Sequence, residues 1–307
     1  MSALVPLTLP DAEGLHEIFV AAENPGRFEQ AMIAARPQNP IADLAKTLLC
    51  GQGTLIDVGA NIGTVCVPVS KSGSNVLAIE MLPENCLRLF LAVQKNKLKG
   101  MHVLQCAATS SIGLASYAGE EAWAQVQENS EKKAVGLTLD AIIELYESAE
   151  PLFIRHPLVI KIDVESHELE VLKGAARTIE SFHPFIIFES VEAANLEPHQ
   201  TRQVKRTLCS YGYRLFIIRN NILAPREPDD FQESLVSDFL AVPSYGFPPA
   251  EYEVRPLTPA ERLAWLKEIA DHSDLHRLHA ESLMAIWSSD SIMQHHIQLA
   301  LGQAETD

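Results

Sequence analysis

Five short apolar runs recur through the middle of the chain, and stretches of helical spacing separate them. They are Leu55-Ile-Asp-Val58, Val76-Leu-Ala-Ile79, Val103-Leu-Gln-Cys-Ala-Ala108, Leu158-Val-Ile-Lys-Ile162 and Phe185-Ile-Ile-Phe188. Runs this short and this apolar suit strands buried on both faces of a parallel sheet. The first predicted helix follows Gly63 and carries Pro68, which shortens or kinks it unless it lies in the first turn. Further helices are predicted over Pro83–Lys99, from Leu137 with Thr138 as cap, and over Leu169–Ile179, where Leu169, Leu172, Ala176 and Ile179 share a face. A helix over His199–Tyr211 closes at Gly212. Between Ser111 and Val135 the pattern is irregular and polar, which predicts hairpin-like or loop structure over the sheet edge. Tyr213–Ile218, the turn Arg219-Asn-Asn221 and Asp238–Val242 predict a closing hairpin. Alternating β and α then imply an α/β fold, a doubly wound and mostly parallel sheet with one reversed strand.

The flanks read differently. Residues 1–50 form a lead-in with an edge strand near Glu17–Ala21, a turn at Asn24-Pro-Gly26 and a helix over Ile41–Leu49 ended by Gly51 or Gly53. After the main domain at 51–243, Pro248, Pro249 and Pro256 mark 244–257 as an extended linker. Residues 258–307 make a helical C-terminal appendage. Thr258-Pro-Ala-Glu261 is a capping box, Leu263, Leu266, Ile269 and Ala270 fall on one helical face, and two more helices are expected at about 275–287 and 292–301.

Composition narrows the function classes. The 307 residues are 47% hydrophobic, enough for one sizeable α/β domain, and the formal charge of -16 argues against a nucleic-acid partner. No apolar run has membrane-spanning length and the N-terminus lacks signal-peptide features, so no membrane partner is expected. Cys50, Cys66, Cys86, Cys106 and Cys209 include no C-x-x-C pair and are expected to be reduced, in a cytoplasmic protein.

The chemistry gathers at strand ends. After the first strand, with Asp57 near its carboxyl end, Gly59-Ala-Asn-Ile-Gly63 supplies a tight turn, because glycine and asparagine tolerate positive φ. The second strand ends on Glu80, about 20 residues further on, where a doubly wound sheet recognises a ribose. A carboxylate there accepts from both ribose hydroxyls. Ala107 and Ala108 leave room for a flat ring such as adenine, and serve equally well as packing residues. Asp163, Glu165, Glu168 and Glu189 follow two later strands, on the edge that holds ligands in open α/β sheets. Acidic residues at a helix N-terminus also serve the helix dipole alone, a reading that applies most to Glu168.

Three segments together resemble one family. Leu55-Ile-Asp-Val-Gly-Ala-Asn-Ile-Gly63, then Ala78-Ile-Glu80 with Pro83 and Asn85 soon after, then Lys161-Ile-Asp-Val-Glu-Ser-His-Glu-Leu-Glu-Val-Leu-Lys-Gly-Ala175, look like the FkbM-type methyltransferases that use S-adenosyl-L-methionine. The resemblance runs from about Gly51 to Pro243. It implies a Rossmann-like class I methyltransferase fold in which Asp57, Gly59, Ala60, Asn61 and Gly63 hold the methionine end of the cofactor. It also implies Glu80 and Met81 at the ribose, Cys106 and Ala107 beside adenine, and Asp163 toward the sulfonium and the acceptor. Ser166 departs from the pattern, standing where the family usually has glycine.

The implied activity is O-methylation of a hydroxyl on a sugar, glycan or polyketide-type metabolite. His167 is the expected general base, its ordinary pKa suiting proton transfer near neutrality, with Asp163 and Glu189 as alternatives. A divalent metal among Asp163, Glu165 and Glu189 is not expected, nor one on His272, His276 and His279 in the tail, with His295 and His296 beyond. The rival readings are an NAD-type oxidoreductase, disfavoured by the G-x-N-x-G turn, and a non-catalytic cofactor-binding domain acting through its tail. The tail's apolar face is also a candidate homo-oligomer contact.

Overall fold

A computed structural model of the chain describes residues 3–11, 14–37, 39–118, 125–126, 130–191, 200–230 and 236–270. It divides into two compact units, Met1–Phe188 and Glu189–Asp307.

The first unit opens on a hairpin, β1 (Leu4–Asp11) antiparallel to β2 (Gly14–Ala21). The expected edge strand therefore has a partner that the apolar pattern hides. Pro6 and Pro10 argue against a central strand, but a two-stranded ribbon has only edges and tolerates them. Helix α1 (Arg27–Ala35) follows the bend at Asn24. Helix α2 (Pro40–Leu49) is capped by Asn39, whose Oδ1 accepts from Ile41 and Ala42 N–H. It ends on Cys50 in the left-handed region, one residue ahead of the expected glycine.

Then come β3 (Thr54–Val58), α3 (Cys66–Lys71), β4 (Asn75–Glu80), α4 (Pro83–Asn96), β5 (Met101–Gln105), β6 (Ala107–Ala108), β7 (Gly113–Ala118), β8 (Gln125–Val126) and β9 (Lys133–Leu137). The unit is completed by α5 (Leu139–Ala149), β10 (Leu158–Ile162), α6 (Glu168–Lys173), α7 (Ala176–Phe182) and β11 (Phe185–Val191), whose last residues pass into the second unit. Pro68 falls in the first turn of α3, where its missing N–H costs nothing. Thr138 caps α5 as expected, its Oγ1 accepting from Ala141 N–H at 3.1 Å.

Strands β5, β4, β3, β10 and β11 lie side by side in that order, all parallel. From β3 the chain steps outward to β4 and β5, returns through α5, and steps the other way from β10 to β11. Right-handed crossovers then put α3 and α4 on one face and α5, α6 and α7 on the other. The packing agrees: α2 touches α3 and α3 touches α4, while α5 touches α7. The sheet is doubly wound, and its direction reverses between β3 and β10.

Two expectations need correction here. The third strand ends at Gln105, and Ala107–Ala108 joins a separate small sheet with β7, β8 and β9. Strands β7 and β8 and the start of β9 lie in the described parts of the irregular 111–135 region. The single helix expected over Leu169–Ile179 is two, broken at Gly174. A Cβ there would lie 2.1 Å from the Thr109 carbonyl oxygen, so the chain needs glycine where it crosses that backbone.

The second unit holds α8 (Gln200–Ser210), β12 (Arg214–Arg219), β13 (Ile222–Arg226), β14 (Val236–Val242), β15 (Glu253–Val254) and α9 (Pro259–Ala270). The hairpin partner of β12 is β13, across the Asn220-Asn221 turn, and β14 pairs with the other side of β12. Pro225 disguises β13 in the sequence. Strand β15 pairs with β13 inside the span expected to be linker. The capping box of α9 forms: Thr258 N–H donates to Glu261 at 2.8 Å, and Glu261 N–H to Thr258 Oγ1 at 3.2 Å. Leu263 and Trp265 are buried, with the Arg219 guanidinium 4.9 Å from the Trp265 ring. The side chains of Leu266, Ile269 and Ala270, the two later helices and the tail histidines lie outside the described residues. Among those described, no helix is long and apolar enough to cross a membrane.

Candidate functional site

In a doubly wound sheet the ligand crevice lies beyond the carboxyl ends of the strands where the winding reverses. Here that point is flanked by the turn after β3 and the segment after β10. The turn folds back onto β4: Gly59 and Ala60 N–H both donate to the Ile79 carbonyl, at 3.0 and 3.1 Å. Gly59, Asn61 and Gly63 all have positive φ, as the sequence predicts. The glycines, however, make room for protein. A Cβ on Gly59 would lie 1.9 Å from the Asp163 carbonyl oxygen, and one on Gly63 would meet Val67 and Leu89 at 2.8 and 3.0 Å. The first keeps β3 and β10 in contact at the crevice floor, and the second lets α3 pack on α4.

Glu80 ends β4 with both carboxylate oxygens engaged. Oε2 accepts from Asn61 N–H and Oε1 from Leu82 N–H, each at 2.8 Å. Its side chain is 6% exposed, and burial raises its pKa against the pull of those two N–H groups. Asn61 is held in turn by Asn85, whose Nδ2 donates to Asn61 Oδ1 at 3.2 Å. A carboxylate has about four acceptor sites, so one on each oxygen is left for the hydroxyls of a ribose.

Lys161 is the residue that sequence reasoning passed over. It pairs in register with Asp57 across β10 and β3, and its ammonium lies 3.3 Å from Asp57 Oδ1 and 3.2 Å from Asp163 Oδ2. It also donates to the Gly59 carbonyl at 3.2 Å. Burial disfavours its charge, but the Asp163 and Asp57 carboxylates outweigh that and hold it protonated. Asp57 is fully buried, and burial raises its pKa despite the ammonium beside it. The Asp57 side chain thus lies beneath the turn, away from the open crevice. A signal for the pair was present in the sequence: each of two buried strands is interrupted by one charge, and the charges are opposite.

Beyond β10, Asp163 N–H extends the ladder to the Val58 carbonyl at 3.1 Å. The chain then turns sharply through Glu165 and Ser166, with φ of 53° and 73°. Glu168 clasps the turn, Oε1 accepting from Val164 N–H at 3.3 Å and Ser166 N–H at 3.2 Å. Burial raises the pKa of Glu168 as well. Its role here is to hold the loop. Glu165 is half-buried, and desolvation first, then the charges of Asp163 and Glu168, push its pKa up to about 7. His167 occupies the N-cap of α6, makes no cap bond with its side chain, and has its pKa lowered by burial.

The remaining candidates are placed as follows. Half-buried Met81 packs with Ala134 against Leu82 and Tyr117, so the small sheet seats its Tyr117 face beside the end of β4. Cys106 and Ala107 are buried. The Cys106 N–H donates to the Glu80 carbonyl at 3.0 Å, and burial pushes its thiol up to about 12. Glu189 lies on β11 one residue past Phe188, the register partner of Ile162, and belongs to the second unit. Trp123 is outside the described residues. Among those described, no group of three or more His, Cys, Asp or Glu side chains is arranged to hold a metal ion.

Comparison with known proteins bears on this arrangement. The family model described as the methyltransferase FkbM domain matches residues 57–215, more than half of the chain. Hexuronic acid methyltransferase AglP of Haloferax volcanii is 35% identical over 139 residues, which are 44% of this chain and 54% of the relative. The chain thus spans about half the length of that curated relative. Among solved structures, methyltransferase FkbM from Methylobacillus flagellatus KT aligns at 17% identity and a TM-score of 0.40, over 62% of this chain and 44% of its own. A 16S rRNA N2 G1207 methyltransferase of T. thermophilus, in complex with AdoMet and guanosine, aligns at 12% and 0.42, over 79% and 51%. Both structural likenesses are distant. The family match instead runs along the chain through Asp57, the glycine turn, Glu80 and the 163–168 loop, and on this ground the chain belongs to the FkbM methyltransferase family.

Proposed function

We propose that the protein is an S-adenosyl-L-methionine-dependent O-methyltransferase acting on a hydroxyl of a sugar or glycan, with a hexuronic acid as the first acceptor class to examine. The family match over the crevice residues carries this reading, and the relative named a hexuronic acid methyltransferase supplies the acceptor class. The chemistry of the crevice suits the cofactor. Glu80 keeps acceptor capacity for the ribose diol beside the Asn61 and Leu82 N–H groups it already holds. Gly59, Ala60, Asn61 and Gly63 form the wall for the methionine end, with Asp57 anchoring that wall from below through Lys161. Met81, Cys106 and Ala107 border the nucleoside side. Asp163, Glu165 and His167 stand on the acceptor side, where negative charge suits a sulfonium ion.

The bound cofactor supplies an activated methyl group. The chain's own task is to orient the acceptor in line with it, which contributes most of the rate, and to remove the hydroxyl proton. Calorimetric titration tests the reading first: S-adenosyl-L-methionine should bind and NAD should not. Transfer of a labelled methyl group to methyl glucuronide then tests the acceptor. Binding of NAD in place of S-adenosyl-L-methionine would return the chain to the oxidoreductase class.

A further inference from the structure

We propose that the Glu165 carboxylate, and not His167, accepts the proton of the acceptor hydroxyl. The inference rests on the methyltransferase reading and assigns the base within that site.

The geometry of the loop after β10 separates the carboxylates there by what each already holds. Asp163 is bound to the Lys161 ammonium at 3.2 Å. Glu168 spends Oε1 on Val164 and Ser166 N–H, the two amides that bracket position 165. Nothing among the described residues donates a hydrogen bond to the Glu165 carboxylate, although the residue is half-buried at the ligand edge of the sheet. Its backbone is locked by two consecutive left-handed residues and by the Glu168 clasp, so the side chain leaves a fixed point directly after Asp163 and Val164, the two residues that border Gly59. Strain of this kind persists only where the surroundings over-determine it, and it clusters at functional sites.

A carboxylate with free lone pairs, half-buried in the loop that follows β10 at the ligand edge of the sheet, is what a hydroxyl needs in order to surrender its proton. Burial first, then the charges of Asp163 and Glu168, raise its proton affinity, and the Lys161 ammonium lowers it less. His167 sits at the N-cap with burial working against its charged form. In the reaction the acceptor O–H bond breaks, its proton passes to a Glu165 oxygen, and the acceptor oxygen bonds to the methyl carbon. The carbon–sulfur bond breaks with its electron pair going to sulfur, and the sulfonium cofactor leaves as a neutral thioether.

The deciding measurement uses the protein alone. Carbon NMR of glutamate labelled at Cδ should show one carboxyl titrating near pH 7 that disappears in Glu165→Gln. Titration of Glu165 near its ordinary value of 4.5 would overturn the proposal. With methyl glucuronide and S-adenosyl-L-methionine, Glu165→Gln should cost about 10²- to 10⁴-fold in turnover and remove an acid limb near pH 7. His167→Ala should keep that limb. A Glu165→Gln enzyme with the wild-type pH profile would also overturn the proposal. If wild-type protein binds S-adenosyl-L-methionine but leaves methyl glucuronide untouched, the acceptor class fails and the NMR titration alone decides on Glu165.

Discussion

Lys161 stands directly opposite Asp57 on neighbouring strands, and its ammonium is shared between that buried carboxylate at 3.3 Å and half-exposed Asp163 at 3.2 Å. One cation therefore links the inside of the sheet to the rim of the crevice, at the point where the winding reverses. Its bond to the Gly59 carbonyl adds the glycine turn to the same group. The acidic residues of the motif are not equivalent as a result: Asp57 is an anchor, Asp163 is tethered, Glu168 is a clasp, and Glu165 alone among these four has no hydrogen bond or ion pair with the described residues.

Removing Lys161 should be costly. Lys161→Met leaves Asp57 charged and unpaired inside the sheet, and breaking a buried pair in this way costs about 3–5 kcal/mol. Adding Asp57→Asn should recover much of the loss, because the carboxylate that Lys161→Met leaves unpaired is then gone. Urea unfolding of the two single variants and the double variant closes the cycle, and additive losses would show that the two residues act independently.

Gly59 should tolerate no side chain. Gly59→Ala sets a methyl 1.9 Å from the Asp163 carbonyl oxygen and also burdens a positive φ. Overpacking of about 1–3 kcal/mol adds to a left-handed cost of about 1–2 kcal/mol. We expect both a lowered melting temperature and loss of S-adenosyl-L-methionine binding. Gly174→Ala, with its Cβ 2.1 Å from the Thr109 carbonyl oxygen, should lower the melting temperature while the folded fraction still binds.

Ser166→Gly should stabilise the protein. Ser166 is exposed with φ of 73°, so it suffers left-handed strain with no burial in return. Glycine adopts this conformation without the Cβ clash, and after its extra unfolded-state entropy a gain of about 0.5–1 kcal/mol remains. A melting temperature equal to or below that of the wild type would show that the serine side chain holds the loop in some other way.

Glu80→Gln should weaken both the fold and the ligand site. The amide can accept from only one of the Asn61 and Leu82 N–H groups and turns an N–H₂ toward the other. A buried donor left unsatisfied costs about 1–3 kcal/mol. Affinity for S-adenosyl-L-methionine should fall at least about tenfold, since hydrogen bonds to a charged group contribute about 1.5–3 kcal/mol. Calorimetry on the folded variant checks it, and unchanged affinity would remove Glu80 from the ribose.

Stability should depend on pH through Glu165. Its folded-state pKa of about 7 lies above the ordinary glutamate value of 4.5. The protonated form is therefore favoured by folding, in full below about pH 4.5, and that contribution is lost as pH rises through about 7. Glu165→Gln removes this dependence. The variant's melting temperature should match the wild type near pH 4.5 and exceed it at pH 8. A constant difference across that window would place the titration on another group.

Much of the sheet was legible in the sequence because buried parallel strands require continuous apolar runs, and glycine-rich turns require residues that accept positive φ. That argument located β3, β4, β10 and β11, the turn at 59–63 and the acid ending β4. It also reached the Thr138 and Thr258 caps, where the requirement is local. What it missed depends on partners distant in sequence. Strands β1 and β13 carry prolines that only their edge or pairing environment permits, and the break at Gly174 exists because Thr109 crosses there. Lys161 and Asp57 are 104 positions apart by their residue numbers, so only the register of β10 on β3 makes them a pair. Ser166 was legible as a departure at a glycine position, where a positive φ is at stake, but the clasp of Glu168 was not. Local sequence fixes where the chain turns and which faces are apolar. Which carboxylate is anchored, which is clasped and which is left with free lone pairs follows from the close packing of strand ends, and that the tertiary structure alone decides.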